Sequence, residues 1–224
     1  MRFSRSATIE VEDLGRLTYA EATTRMEEVL AELAADPEAA DRLWLAEFEP
    51  VLTLGRASTP ADEAFAADLA IPIYKVARGG KATFHGPGQL VVYPIIRLLG
   101  EARDLHAYLG RLERALAATV ADFGLLGATD SRNTGCWVNQ RKIASIGVAV
   151  RRWVAYHGAA LNVATDMSWF RRFDPCGLAS ATSDGTFSEI MTSMAIELGA
   201  PPDLTTVKAT LAARFCEALQ DDND

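Results

Sequence analysis

The sequence predicts a mixed α/β (α+β) fold, and three observations carry that expectation. Strand-like runs rich in apolar and β-branched residues are interleaved with helical patterns instead of being grouped apart. Four helices are expected besides a short one at 61–69, two of the four opened by a capping-box signature. A glycine-rich string, residues 78–89, runs directly into the apolar stretch 90–96, and together they read as a binding loop feeding a buried strand.

Taken in order, residues 7–12 alternate like a half-buried strand. Thr18 and Glu21 form a capping box, and Met26, Val29, Leu30 and Leu33 share one helical face. Asp36 and Pro37 stop that helix. Residues 43–48 and 51–54 read as strands around a break at Glu49-Pro50, with Gly55-Arg56 turning the chain. A short helix at 61–69 and a strand at 71–76 lead to the glycine-rich string. After the strand at 89–96, Leu105, Tyr108, Leu109, Leu112, Leu116, Val120 and Phe123 mark a long amphipathic helix ending near Gly124. Residues 134–163 are β in pattern, with a turn at Asn139-Gln140. Thr186 and Glu189 predict a helix to about Leu198, and after Pro201-Pro202 a last helix carries Leu204, Val207, Leu211 and Phe215 on one face. No linker interrupts the pattern, so residues 1–224 are read as one domain.

Composition narrows the function. No apolar run reaches membrane-spanning length and the first residues lack a signal-peptide core, so a cytoplasmic protein with no membrane contact is expected. Cysteines at 136, 176 and 216 and histidines at 85, 106 and 157 suggest neither a disulfide framework nor a metal site, and no metal or other cofactor is expected. The net charge of −8 argues against nucleic-acid binding. That charge is unevenly spread: residues 71–100 carry +4 and residues 131–173 carry +6, leaving −18 for the rest. The basic half suits an acidic partner or substrate, or else it is a set of solvated strand edges.

Within the glycine-rich string, Arg78, Lys81, Thr83, His85 and Gln89 stand among small residues that leave their polar groups accessible. Cys176 lies in a Pro- and Gly-bounded turn, Asp174-Pro175-Cys176-Gly177, whereas Cys136 beside Trp137 and Cys216 beside Phe215 read as structural. A free thiol titrates near ~8.5, so a reactive one needs a neighbouring cation or base. Lys142, at the start of a strand, and His157, next to Gly158, are the candidates.

These residues carry a resemblance. Thr53-Leu54-Gly55-Arg56, the string from Arg78 to Pro94, the segments 134–138 and 142–147, Tyr156 to Val163, and Pro175-Cys176-Gly177 are similar, in that order, to the lipoyl(octanoyl) transferase family of protein lipoylation. The resemblance implies a fold shared with biotin and lipoate protein ligases, a mixed sheet flanked by helices with a smaller second sheet. It implies that Cys176 takes an octanoyl group from octanoyl-acyl carrier protein as a thioester. Lys142 would act as its acid/base partner, and the acceptor would be a lysine on the apo lipoyl domains of 2-oxoacid dehydrogenase complexes or on the glycine cleavage H protein. It assigns substrate binding to Arg78, Gly79, Gly80, Lys81, Ala82, Thr83, Phe84 and His85, to Ser145, Ile146 and Gly147, and to Gly158, Ala159 and Ala160 with His157 beside them. A monomer is expected. Two departures stand out: Phe48 occupies a position where the family usually has histidine, and a Thr-Ser pair arrives early, at Thr182-Ser183. Two competing readings remain, an ATP-dependent lipoate or biotin ligase and a non-catalytic acyl-carrier-docking protein. ATP dependence and a covalent adduct separate them from the transferase.

Overall fold

The computed structural model describes residues 8–67, 69–178 and 189–220. The chain runs through β1 (Ile9–Leu17), α1 (Tyr19–Ala35), β2 (Asp41–Phe48), β3 (Val51–Leu54), α2 (Pro60–Ala67), β4 (Ile73–Lys75), β5 (Ala82–His85), β6 (Gln89–Arg97) and α3 (Leu105–Ala121). It continues through β7 (Gly135–Val138), β8 (Arg141–Arg151), β9 (Val154–Asn162), α4 (Met194–Leu198) and α5 (Leu204–Gln220). Six strands form one sheet in the order β1-β2-β6-β9-β8-β7, and three form a smaller one, β4-β3-β5. Both sheets are mixed: β1 is parallel to β2 and β4 to β3, and every other pairing is antiparallel. The expected mixed sheet with a smaller companion is the observed one.

The large sheet is covered on both faces, which explains the unbroken apolar run in β6. Leu90, Val92 and Ile96 pack with Leu43 and Leu45 against α3 and α5, while Val91, Tyr93 and Ile95 pack with Trp44 and Phe48 against α1. The capping box at α1 forms as expected, Thr18 accepting from the Glu21 backbone N–H and Glu21 from that of Thr18. The turn at Asn139-Gln140 has positive φ at both positions (48° and 64°), the geometry of a two-residue hairpin joining β7 to β8.

Two expectations need correction. The glycine-rich string is not loop throughout, because residues 82–85 form β5 by pairing antiparallel with β3. The helix expected to begin near Thr186 begins at Met194, capped by Ser193. The residues just before it are extended, since Lys142 N–H donates to Ile190 O and Thr192 N–H to Lys142 O, tying them alongside β8. Thr186 itself lies outside the described residues, as do Thr182 and Ser183.

Candidate active site

A cleft of about 520 Å³, part of it open to solvent, lies on the α1 side of the large sheet where the small sheet meets it. Three segments singled out in the sequence converge here from distant positions. Arg78, Gly80, Lys81, Thr83 and His85 come from the glycine-rich string, Ser145, Ile146 and Gly147 from β8, and His157, Gly158, Ala159 and Ala160 from β9. Antiparallel register makes the last two groups neighbours, pairing Ser145 with Ala160 and Gly147 with Gly158. Ala82 and Phe84 turn the other way. Side chains alternate across a strand, so Thr83 and His85 face the cleft while Ala82 and Phe84 enter the small sheet's core with Leu52 and Leu54. Gly79 does not line the cleft, and its N–H donates to Val148 O, fastening the loop to β8.

Arg78 is buried and holds the loop together. Its guanidinium donates to Gly79 O (2.9 Å) and Lys81 O (3.0 Å) within the loop, and to Thr53 O (2.9 Å) and Thr53 Oγ1 (2.7 Å) on β3. Replacing Arg78 with methionine removes four hydrogen bonds to buried acceptors. The variant is expected to lose about 2–4 kcal/mol of stability, read as a lower urea midpoint, together with most activity. An unchanged midpoint would contradict the clamp.

The chain of bonds continues from Thr53 into His85. Thr53 Oγ1, already accepting from Arg78, lies 3.4 Å from His85 Nε2, and His85 Nδ1 lies 2.7 Å from Gln89 Oε1. Gln89 Nε2 donates to Phe84 O and to Asn162 Oδ1, and Asn162 donates to Thr192 O. With the Gln89 amide committed as donor, its oxygen must accept, which assigns the imidazole proton to His85 Nδ1. His85 is therefore a neutral member of a saturated network. Burial pushes it down to about 3, and burial with the Arg78 charge behind it pushes His157 down to about 4. The His157 ring is held in the cleft wall by Tyr156 and Tyr93, on a backbone with φ of 59°.

The two histidines give a signed pH dependence. The unfolded chain takes up their protons below about pH 6.5, whereas the folded protein does so only near 4 and 3. Stability is full above about 6.5 and falls on acidification, by up to about 1.4 kcal/mol per histidine per pH unit. Urea unfolding between pH 7.5 and 5 should show the loss, and a flat profile would contradict it.

Lys142 on β8 is fully buried. Its Nζ donates to Asn133 Oδ1 and lies 6.0 Å from the Trp137 ring centroid. Gly135 makes this possible: a Cβ there would sit 2.8 Å from Lys142 Cε and 2.2 Å from Ala144 O. Asn133 also lines the cleft, so the Lys142 ammonium stands one hydrogen bond behind the wall. Cys176 is the middle residue of a single 3₁₀ turn, Pro175–Gly177, packed against β5. Cys136 is buried in the core, where desolvation pushes its thiol up to about 12, and Cys216 is part-buried on α5 with its thiol also raised by burial.

Sequence reasoning missed Tyr19, Val91, Tyr93 and Asn133, which also line the cleft. Tyr19 and Tyr93 are hydrogen-bonded to each other, and burial raises both phenols. Phe48 packs behind them, with ring centroids 5.4 Å from Tyr19, 5.8 Å from His85 and 6.0 Å from Tyr93. The basic half is largely neutralised in the fold. Lys75 pairs with Glu63, Arg97 with Asp41, Arg132 with Asp130, Arg141 with Glu197, Arg151 with Glu27 and Arg171 with Glu189.

The same frame is present in known proteins. A bipartite lipoate protein ligase from Thermoplasma acidophilum superposes with a TM-score of 0.71 at 14% identity, covering 97% of this chain and 86% of that one. A biotin protein ligase from Aquifex aeolicus, in complex with biotin and ATP, gives 0.56 at 10%, covering 94% and 70%. At that identity the likeness speaks for the fold alone. Sequence relatives are nearer: an octanoyltransferase of Geotalea uraniireducens is 43% identical over 203 residues, 91% of this chain and 89% of the relative. An octanoyltransferase of Rubrobacter xylanophilus is 42% identical over 224 residues, covering 97% and 96%. Residues 19–216 match the family model described as the lipoyl protein ligase A/B catalytic domain. With the fold, the converging segments and this identity in agreement, the chain belongs to the lipoyl protein ligase A/B catalytic family and, within it, to the octanoyltransferases.

Proposed function

We propose that the protein transfers an octanoyl group from octanoyl-acyl carrier protein to the ε-amine of a lysine on apo lipoyl domains, through a thioester on Cys176. The observation that carries this reading is the arrangement of the cleft: glycine-rich loop, β8 and β9 enclose it, the Cys176 turn packs on β5, and Lys142 stands behind Asn133. In the first step the Cys176 thiolate attacks the donor thioester carbonyl and the carrier thiol leaves, taking the proton the cysteine gave up. In the second, the acceptor amine attacks the enzyme thioester, an amide forms and the thiol is regenerated. Lys142 is assigned the proton transfers, with Asn133 orienting its ammonium. Exchange of one thioester for another is close to isoenergetic, so the donor's energy is kept until the amide forms.

On this reading Arg78, Gly79, Gly80, Lys81, Ala82, Thr83, Phe84 and His85, with Ser145 to Gly147 and His157 to Ala160, bind substrate either by lining the cleft or by holding its loop. Burial and the Arg78 charge lower His157 to about 4, which makes its ring a weaker base than an ordinary histidine, so the proton transfers are given to Lys142. The acyl chain lies against the apolar floor at Val91 and Ala160, whose side chains are on the α1 side of the sheet. The chain is taken as one catalytic domain acting as a monomer in the cytoplasm, where a free thiol stays reduced. Lipoyl domains of 2-oxoacid dehydrogenase complexes and the glycine cleavage H protein are the proposed acceptors.

The discriminating assay supplies octanoyl-acyl carrier protein and apo lipoyl domain without ATP. Octanoylation of the lysine under those conditions is expected. Transfer that appears only with free octanoate and ATP would replace this reading with a ligase.

A further inference from the structure

Lys81 is a second cation, beside the turn that carries Cys176. It precedes β5 and lines the cleft, and among the described residues its side chain makes no hydrogen bond or ion pair. Its far end folds across the backbone of Gly177, the residue that follows Cys176. A Cβ built on Gly177 would lie 3.0 Å from Lys81 Nζ and 3.1 Å from both Cδ and Cε. Gly177 has φ of 74°, so glycine serves twice there, giving the turn its conformation and leaving room for the lysine. An ammonium held against the turn favours an anion arriving there, in a field that also contains the Asp174 carboxylate at the head of the turn.

We propose that Lys81 stabilises the thiolate of Cys176 electrostatically, a positioning charge distinct from the proton-transferring role given to Lys142. This rests on the assignment of Cys176 as nucleophile. Lys142 is buried and bound to Asn133, so it suits a proton carrier whose contacts change during the cycle. Lys81 carries no such commitment and supplies a standing charge. It approaches from the glycine-rich loop, and Lys142 from β8, so the two lysines reach the site on separate elements.

The test is the pH dependence of iodoacetamide alkylation at Cys176, followed by peptide mass mapping, in wild type, Lys81→Met and Lys81→Arg. Methionine keeps the aliphatic stem over Gly177 and removes the charge. Removal of the charge should raise the alkylation midpoint by about half to one pH unit in Lys81→Met. It should return toward wild type in Lys81→Arg. Acylation by octanoyl-acyl carrier protein should fall about three- to tenfold at pH 7 in Lys81→Met and converge with wild type as the pH rises. An unshifted midpoint in Lys81→Met overturns the proposal. Equal shifts in the methionine and arginine variants also overturn it, since packing and not charge would then be responsible. If Cys176→Ala still transfers octanoyl groups, the nucleophile assignment itself fails, whatever the midpoint does.

Discussion

Octanoyl transfer to a lipoyl domain is expected to fall at least about a thousandfold when Cys176 is replaced by alanine, because the covalent route then has no nucleophile. The backbone of the turn around Cys176 is set by its neighbours. Pro175 fixes the entry, Gly177 the exit at positive φ, and the Leu178 N–H closes the turn on Pro175 O. The variant should therefore keep the thermal midpoint of the wild type to within a few degrees, the usual range for a change of about 1 kcal/mol or less. Parallel rate and melting measurements separate lost chemistry from lost structure. Retention of transfer would move the reaction to another route, such as an acyl-adenylate, that has no use for the cysteine.

The second large effect is expected at Lys142. Substituting methionine matches the length of the stem beside Gly135 and Trp137, leaves the burial apolar, and removes the amine that donates to Asn133. General acid–base groups contribute typically about a hundred- to ten-thousandfold, and a loss in that range is expected for both acylation and release to the acceptor. The fold should survive, because the backbone of Lys142 is held by Ile190 and Thr192 independently of the side chain. Measuring the two half-reactions separately is the check. A loss confined to one of them would restrict Lys142 to that step.

Much of the frame was legible in the sequence. The Thr18/Glu21 box, the helical face of Met26, Leu30 and Leu33, and the apolar run of β6 all depend on local pattern, and each is where the pattern put it. The convergence of the glycine-rich string, β8 and β9 on one cleft was legible only through the resemblance, since nothing local pairs Gly147 with Gly158.

What was missed depended on distant partners. β5 has the composition of a loop and becomes a strand because β3 offers it an edge. The segment before α4 carries a helix signature near Glu189, yet the backbone of Lys142 draws residues 190–192 alongside β8 instead. Arg78 reads as a cation for substrate but spends its donors on Thr53, Gly79 and Lys81. The basic windows read equally as suited to an acidic partner or as solvated strand edges, and Glu27, Asp41, Glu63 and Glu197, all outside them, neutralise much of their charge. The exposed pairs among them, Lys75–Glu63 and Arg151–Glu27, add little stability, yet like the buried ones they reduce the local field of the windows. Asn133 and Tyr19 gave no signal at all, and their place in the cleft comes entirely from where β7 and α1 are packed.

Intact mass measurement would detect a covalent octanoyl-enzyme on Cys176. Protein mixed with octanoyl-acyl carrier protein without ATP should gain one octanoyl group. Hydroxylamine should remove it, apo lipoyl domain should discharge it, and Cys176→Ala should never acquire it. An adduct that persists in Cys176→Ala, or octanoylated lipoyl domain formed with no adduct ever present, would contradict the account.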